Sequence, residues 1–154
     1  CFTLENYRDR YKLVRKDEDL QLAHQKKPFI NILDDHEVAN GAWSNGAKNH
    51  TIATQGPYDV RKAVAYKAWF EWIPIRESTD RIIYRNFEFG DLVSLYMLDG
   101  STYRDKAYDT QVILGDILTG VNSIVPVISA ADRVMLGATQ TDWLKTGVTN
   151  STSK

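Results

Sequence analysis

Phe29-Ile30-Asn31-Ile32-Leu33-Asp34-Asp35-His36-Glu37 is the stretch on which the fold turns. Its first five residues are mostly apolar and β-prone, which predicts a short buried strand. Its last four are three carboxylates and an imidazole, a crowd of charge that repels itself. A buried strand that stops at charge is the pattern of an α/β sheet, where catalytic groups gather at the carboxyl ends of strands. Carboxylate oxygens and imidazole nitrogens are also the ligand set for zinc, iron, manganese and similar ions. A bound cation relieves the repulsion and holds the carboxylates ionised. A solvated loop with Asp34 capping a turn explains the same residues, and the spacing alone slightly favours that plainer account.

Upstream, Leu4, Tyr7, Tyr11 and Val14 recur at helical spacing between Arg8, Arg10, Lys12 and Arg15, which predicts an amphipathic helix. Asp17 can cap a second helix running to about Ala23 or Gln25, because a short carboxylate accepts from free backbone N–H groups. Pro28 ends it. Downstream, 34–56 is polar and rich in Gly and Asn, and reads as a long loop, a kind of segment that is often functional. Pro57 suits a first helical turn. Val60, Val64, Ala68 and Trp72, with Ala65, Trp69 and Ile73 beside them, predict a broad-faced, mostly buried helix that stops before Pro74.

Residues 81–89 and 92–98 read as two strands around Gly90-Asp91. The second is apolar on both alternating faces, which predicts burial on both sides and hence a layered α/β or sandwich core. It ends at Asp99, either on the same rim as Asp35 or simply forming a turn before Gly100. Residues 100–132 read as mixed loop with an apolar piece over 124–128. Residues 139–146 predict a final short helix, and 147–154 a loop or frayed tail. His24 reads as a surface or core-edge residue and His50 as exposed.

The chain has 154 residues, 43% of them hydrophobic and 25% charged, with four Trp, eight Tyr and five Phe. That is one domain's length and enough apolar mass for a core. The formal net charge of -1 shows none of the basic excess of a dedicated nucleic-acid binder. No apolar run approaches the roughly 20 residues that span a bilayer. The lone Cys1 forms no internal disulfide and says nothing of redox compartment. There is no phosphate-cradling P-loop and no Gly-x-Ser-x-Gly elbow. The start, without Met and already in a helical pattern, reads as a cut inside a longer protein or as the limit of the stretch in hand.

Several segments in fixed order resemble the PhoD-like family of alkaline phosphatases and phosphodiesterases. Tyr7-Arg8-x-Arg10-Tyr11 precedes Asp17-x-Asp19-Leu20-Gln21 and His24; Asp34-Asp35-His36-Glu37-Val38-x-Asn40 follows. Then come Ala65-Tyr66-Lys67-Ala68-Trp69-Phe70-Glu71, Pro74-Ile75-Arg76 and Tyr84-Arg85. Phe89-Gly90-Asp91-Leu92, Leu98-Asp99, Tyr103-Arg104, Met135-Leu136-Gly137 and Gln140-x-x-Trp143-Leu144 close the series. Each piece is weak, but the order covers residues 2–144.

The resemblance implies part of a four-layer α/β/β/α metallophosphoesterase sandwich, with residues 1–146 a partial metallophosphatase domain. It implies metal-assisted hydrolysis of a phosphate ester by in-line attack of water. It makes Asp35 a metal ligand and His36 the general acid or phosphate contact, supported by Asp34 and Asn40. It implies iron with calcium, zinc or manganese also being possible, and a secreted, periplasmic or cell-surface location. Two departures weaken the match. Gly100-Ser101 stands where the family shows Thr-Arg, and the family's other ligand motifs have no counterpart here. The portion of the parent protein outside the chain is therefore expected to be needed. A non-catalytic binding or structural module on the same scaffold is the competing expectation.

Overall fold

The computed structural model describes residues 1–107, 118, 119 and 130–152, and the apolar piece at 124–128 lies outside them. Helix α1, Leu4–Val14, starts at Thr3, whose side chain accepts the Asn6 N–H while the Asn6 side chain reaches back to the Thr3 N–H. Helix α2, Glu18–Lys26, is capped as its sequence predicts, with Asp17 accepting the Leu20 N–H at 2.7 Å. A 3-10 turn, Asp35–Glu37, is followed by a hairpin of β1, Ala42–Trp43, and β2, Gly46–Ala47. Helix α3, Ile52–Gln55, leads into α4, Tyr58–Trp72. Strands β3, Arg85–Phe89, and β4, Val93–Met97, pair antiparallel, and α5, Ala138–Asn150, closes the described chain.

Helix α4 is the central support. Trp69 is 2% exposed, and Ala65 and Ala68 beside it leave room for Val38, Ala42 and Ala47 of the preceding segment in one core cluster. Burying one large aromatic removes enough apolar surface to contribute about 2–3 kcal/mol. Across α4 lies α1: Tyr11 stacks parallel to Trp72 with ring centres 6.1 Å apart, and Arg8 grips both oxygens of Glu71 at 2.6 and 2.7 Å. The apolar stripe at Tyr7 and Tyr11 therefore finds its partner on α4.

Several expectations need correcting. Phe29–Leu33 forms no strand: no backbone ladder among the described residues pairs with it, and Phe29 and Ile30 stay exposed. A strand exists only as a pair, and what reaches this segment's backbone among the described residues is Arg85, whose Nη2 donates to the Asn31 carbonyl at 2.6 Å. Strand β4 is not buried on both faces. Among the described residues it belongs to a two-stranded ribbon, and Val93 at its start and Leu92 just before it are 50% and 73% exposed. The supposed long loop at 34–56 contains the 3-10 turn, the small hairpin and α3, because Val38, Ala39, Ala42 and Ala47 pull it into the core. The expected tail from residue 147 is helical as far as Asn150. Gly147 permits this, since a Cβ there would stand 2.6 Å from the Tyr96 ring.

The described residues thus form a mixed helix-and-strand α/β-like structure. No helix among them is long and apolar enough to cross a membrane.

Candidate metal and phosphate site

The charged tetrad hangs between two buried anchors, Leu33 on one side and Val38-Ala39 on the other, 3%, 1% and 5% exposed. That anchoring forces Asp34–Glu37 into a tight turn at the surface. Glu37 turns inward on the turn itself, its Oε2 accepting the Asp34 N–H at 2.7 Å. The Val38 and Ala39 N–H groups both donate to the Asp35 carbonyl, at 3.0 and 2.8 Å. With Glu37 committed to the backbone, Asp34, Asp35 and His36 remain as a group, each offering a donor atom within 4.8 Å of the others.

Asp35 is the rigid member. Its side chain is 14% exposed, and its Oδ2 accepts the Gly41 N–H at 2.5 Å. Gly41 sits at φ 69° with a Cβ position only 2.7 Å from Lys48 Cβ, so a side chain there is excluded by both conformation and space. The guanidinium of Arg104 lies 4.0 Å from the same carboxylate and is steered by its Nε donating to the Ala42 carbonyl at 2.8 Å. Gly100-Ser101 leaves no arginine directly after Asp99, and Arg104, present in the sequence as part of the Tyr103-Arg104 segment with no site role, is the one the fold brings to Asp35.

His36 and Asp34 are the open members, with side chains 67% and 71% exposed. His36 Nδ1 lies 2.9 Å from Asp35 Oδ1 and 3.4 Å from Asp34 Oδ2. Its hydrogen bond to Asp34, reinforced by the charge of Asp35, raises its pKa above the ordinary imidazole value. The Asp34 carboxyl is pushed down, first by the backbone N–H of Asp35 and then by His36. The pair therefore favours imidazolium beside carboxylate. Asn40 is exposed and borders the same cleft as His36.

The rim residue Asp99 does not join this group. It is fully buried, and its carboxylate accepts from the Ser101 and Thr102 N–H groups at 3.1 and 2.9 Å, from the Thr102 hydroxyl, and from the Tyr66 hydroxyl at 3.2 Å. The turn-forming account of Asp99 is the one the structure supports. Its link to the site is indirect, through Ser101, whose Oγ is 3.5 Å from Asp34 Oδ1. His24 is half-buried and stacks on Phe29 at 4.0 Å. His50, expected to be exposed, is half-buried: Nε2 lies 3.1 Å from the Gly56 carbonyl and Nδ1 lies 3.3 Å from Arg61.

Two carboxylates and an imidazole converging on one point fit a hard or borderline cation. The profile of the PhoD-like phosphatase family matches residues 1–154, the whole chain. The chain belongs to the PhoD-like phosphatase family. It is 32% identical over 156 aligned residues to alkaline phosphatase D of Bacillus subtilis (strain 168), covering 98% of this chain and 25% of that protein. Its fold matches a solved structure titled "Structure of PhoD" with a TM-score of 0.79 and 30% identity, covering 99% of this chain and 28% of the other. This PhoD-like chain thus spans about a quarter of the length of the curated relative it matches.

Proposed function

We propose that this PhoD-like chain is part of a metal-dependent phosphoric ester hydrolase, with the Asp34-Asp35-His36 group as its contribution to the active centre. The observation that carries this reading is the convergence of three donor atoms within 4.8 Å. Asp35, nearly buried and held by Gly41 and Arg104, has the fixed oxygens a ligand needs. Asp34 and Asn40 support it. A bound cation would supply the positive charge that polarises a phosphoryl oxygen and makes water acidic enough to attack. Iron with calcium is the pair that family resemblance suggests, with zinc or manganese as alternatives.

His36 has a separate task. Its ring is exposed, and its hydrogen bond to Asp34 and the charge of Asp35 raise its pKa, which favours the form that can offer a proton or a charged N–H to a phosphate oxygen or leaving group. Asp35 with Asp34 beside it is less than a full metal shell, so we place the remaining ligands in the part of the protein outside this chain. We propose a phosphate monoester or diester as substrate, an exported location, and a place for the chain, through Asn150, within a four-layer metallophosphoesterase domain.

One observation favours a second reading, a non-catalytic module on the same scaffold. His36 Nδ1 at 2.9 Å from Asp35 can neutralise the cluster without any metal. Titration of the complete protein with manganese, read by paramagnetic broadening, separates the two. Saturable broadening centred on His36, weakened at least about tenfold by Asp35→Asn, supports the first. No saturable broadening there removes the metal reading and leaves the module. In the complete protein, His36→Ala should cost at least about a hundredfold in turnover of an aryl phosphate. Near-normal turnover removes His36 from the mechanism.

A further inference from the structure

Among the described residues Arg61 is a buried cation without a carboxylate. It is 6% exposed, and its partners are all neutral: Tyr7 Oη at 3.0 Å, the Asn49 carbonyl at 2.8 Å, Gln55 Oε1 at 3.0 Å and His50 Nδ1 at 3.3 Å. It enters no ion pair among the described residues. Buried charges are ordinarily paired, because leaving one uncompensated away from water is costly. The four partners are taken up by Nε and Nη1, and Nη2 donates to none of the described residues.

Arg61 lines a cleft of about 440 Å³ that also reaches His36. At its border stands Arg10, exposed on α1 and likewise without a hydrogen bond or ion pair among the described residues. The one carboxylate lining the cleft, Glu37, has an oxygen already engaged by the Asp34 N–H. Tyr7 fixes the floor, since its hydroxyl both donates to the Val38 carbonyl and receives Arg61 Nε. The cleft therefore presents a buried guanidinium, a free one and an aromatic wall, a few residues from the Asp34-Asp35-His36 group. A cavity of this size with few, convergent polar groups has the proportions of a small-molecule subsite.

We propose that this cleft is an anion subsite, in which Arg61 Nη2 and Arg10 hold a phosphate group other than the one at Asp35 and His36. Arginine's planar fork suits a phosphate's oxygens better than a point charge would. The word substrate rests on the function proposed above; the anion site itself does not. If both hold, the subsite selects esters whose leaving portion carries a further phosphate.

The test is pyrophosphate titrated into this chain in excess EDTA, followed by the arginine Nε–H signals and Tyr11 in NMR spectra. The expected result is saturable binding that shifts Arg61 and Arg10. Arg10→Glu should weaken it at least about tenfold and Arg61→Met by a similar factor, as expected for loss of a charge-assisted contact. Should Arg61→Met fail to fold, Arg10→Glu decides alone, because that exposed residue supports nothing in the fold. Binding unchanged by Arg10→Glu, shifts confined to Asp34–His36, absence of saturation, or succinate binding as tightly as pyrophosphate would each overturn the proposal. Because EDTA removes metal, failure here leaves the manganese result at Asp35 untouched, and failure there leaves this one standing.

Discussion

Replacing Asp99 tests whether that carboxylate is a structural brace. Asp99→Ala leaves the Ser101 and Thr102 N–H groups without their acceptor in a region where Asp99, Ser101 and Thr102 are 0%, 7% and 3% exposed. The Tyr66 hydroxyl and Thr102 Oγ1 are less stranded, because they lie 2.9 Å from each other and keep that bond. Each buried donor left unsatisfied costs about 1–3 kcal/mol. Two of them predict a loss of about 4 kcal/mol, a large share of a domain's typical 5–15 kcal/mol. Asp99→Asn keeps one acceptor oxygen and should cost about half as much. Urea unfolding of the chain, followed by tryptophan fluorescence, reads both variants, and Trp69, 2% exposed, gives the folded state its buried reporter. At a slope of about 1–3 kcal/mol per molar urea, the Asp99→Ala midpoint should fall by more than about 1 M. Manganese broadening at His36 should persist in whatever fraction stays folded. A midpoint shift under about 0.3 M, or equal shifts for the two variants, would refute the brace account. Loss of manganese binding with stability intact would return Asp99 to the site.

Gly41→Ala should lose about 2 kcal/mol or more in the same assay. A residue with a Cβ pays about 1–2 kcal/mol to adopt left-handed backbone, and this one also meets Lys48; an unchanged midpoint would show that neither constraint holds. His36 should titrate in NMR with a midpoint above the ordinary imidazole value, and Asp34→Asn should lower it. Because the folded value is raised, any stability that His36 contributes is fully present below the unfolded pKa of about 6.5 and is lost as pH rises through the folded one. A midpoint at or below the ordinary value would contradict the geometry. Glu71→Gln breaks the bidentate pair with Arg8, whose two side chains are about one-third exposed. Such solvent-reached pairs are weak and screened by salt, so the midpoint should move little; a large, salt-independent loss would mean Glu71 supports the α1–α4 contact by packing.

Local features were legible from local chemistry. The Asp17 cap, the stop at Pro28, the amphipathic stripe of α1 and the full run of α4 all depend on neighbours within one or two turns, so spacing and capping residues suffice to find them. The hairpin at Gly90 was legible for the same reason, since Gly90 takes φ 62° where the chain reverses. Burial was less legible. Alternating apolar residues say that a strand can be covered on both faces, whereas coverage needs an element packed on each face, and among the described residues Tyr96 of β4 packs on Trp143 of α5 while Val93 stays half exposed. Phe29–Leu33 carries strand chemistry without a strand partner among the described residues, so its residue pattern suits a strand that it does not form.

The sequence by itself determined the helices of the amino-terminal half, the family, and the turn at 34–37 with its three donors. Those donors are neighbours along the chain, so one local turn suffices to bring them together. Only the tertiary structure decided which of them is held and by what. Gly41, six residues on, is bent back onto Asp35, and Arg104 is brought to the same carboxylate across the small hairpin. It also separated Asp99 from the site and joined Tyr7 to Arg61 over 54 positions of sequence. Such contacts depend on where α1, the hairpin and α4 pack, and packing is set by the summed burial of many side chains, which no short motif records.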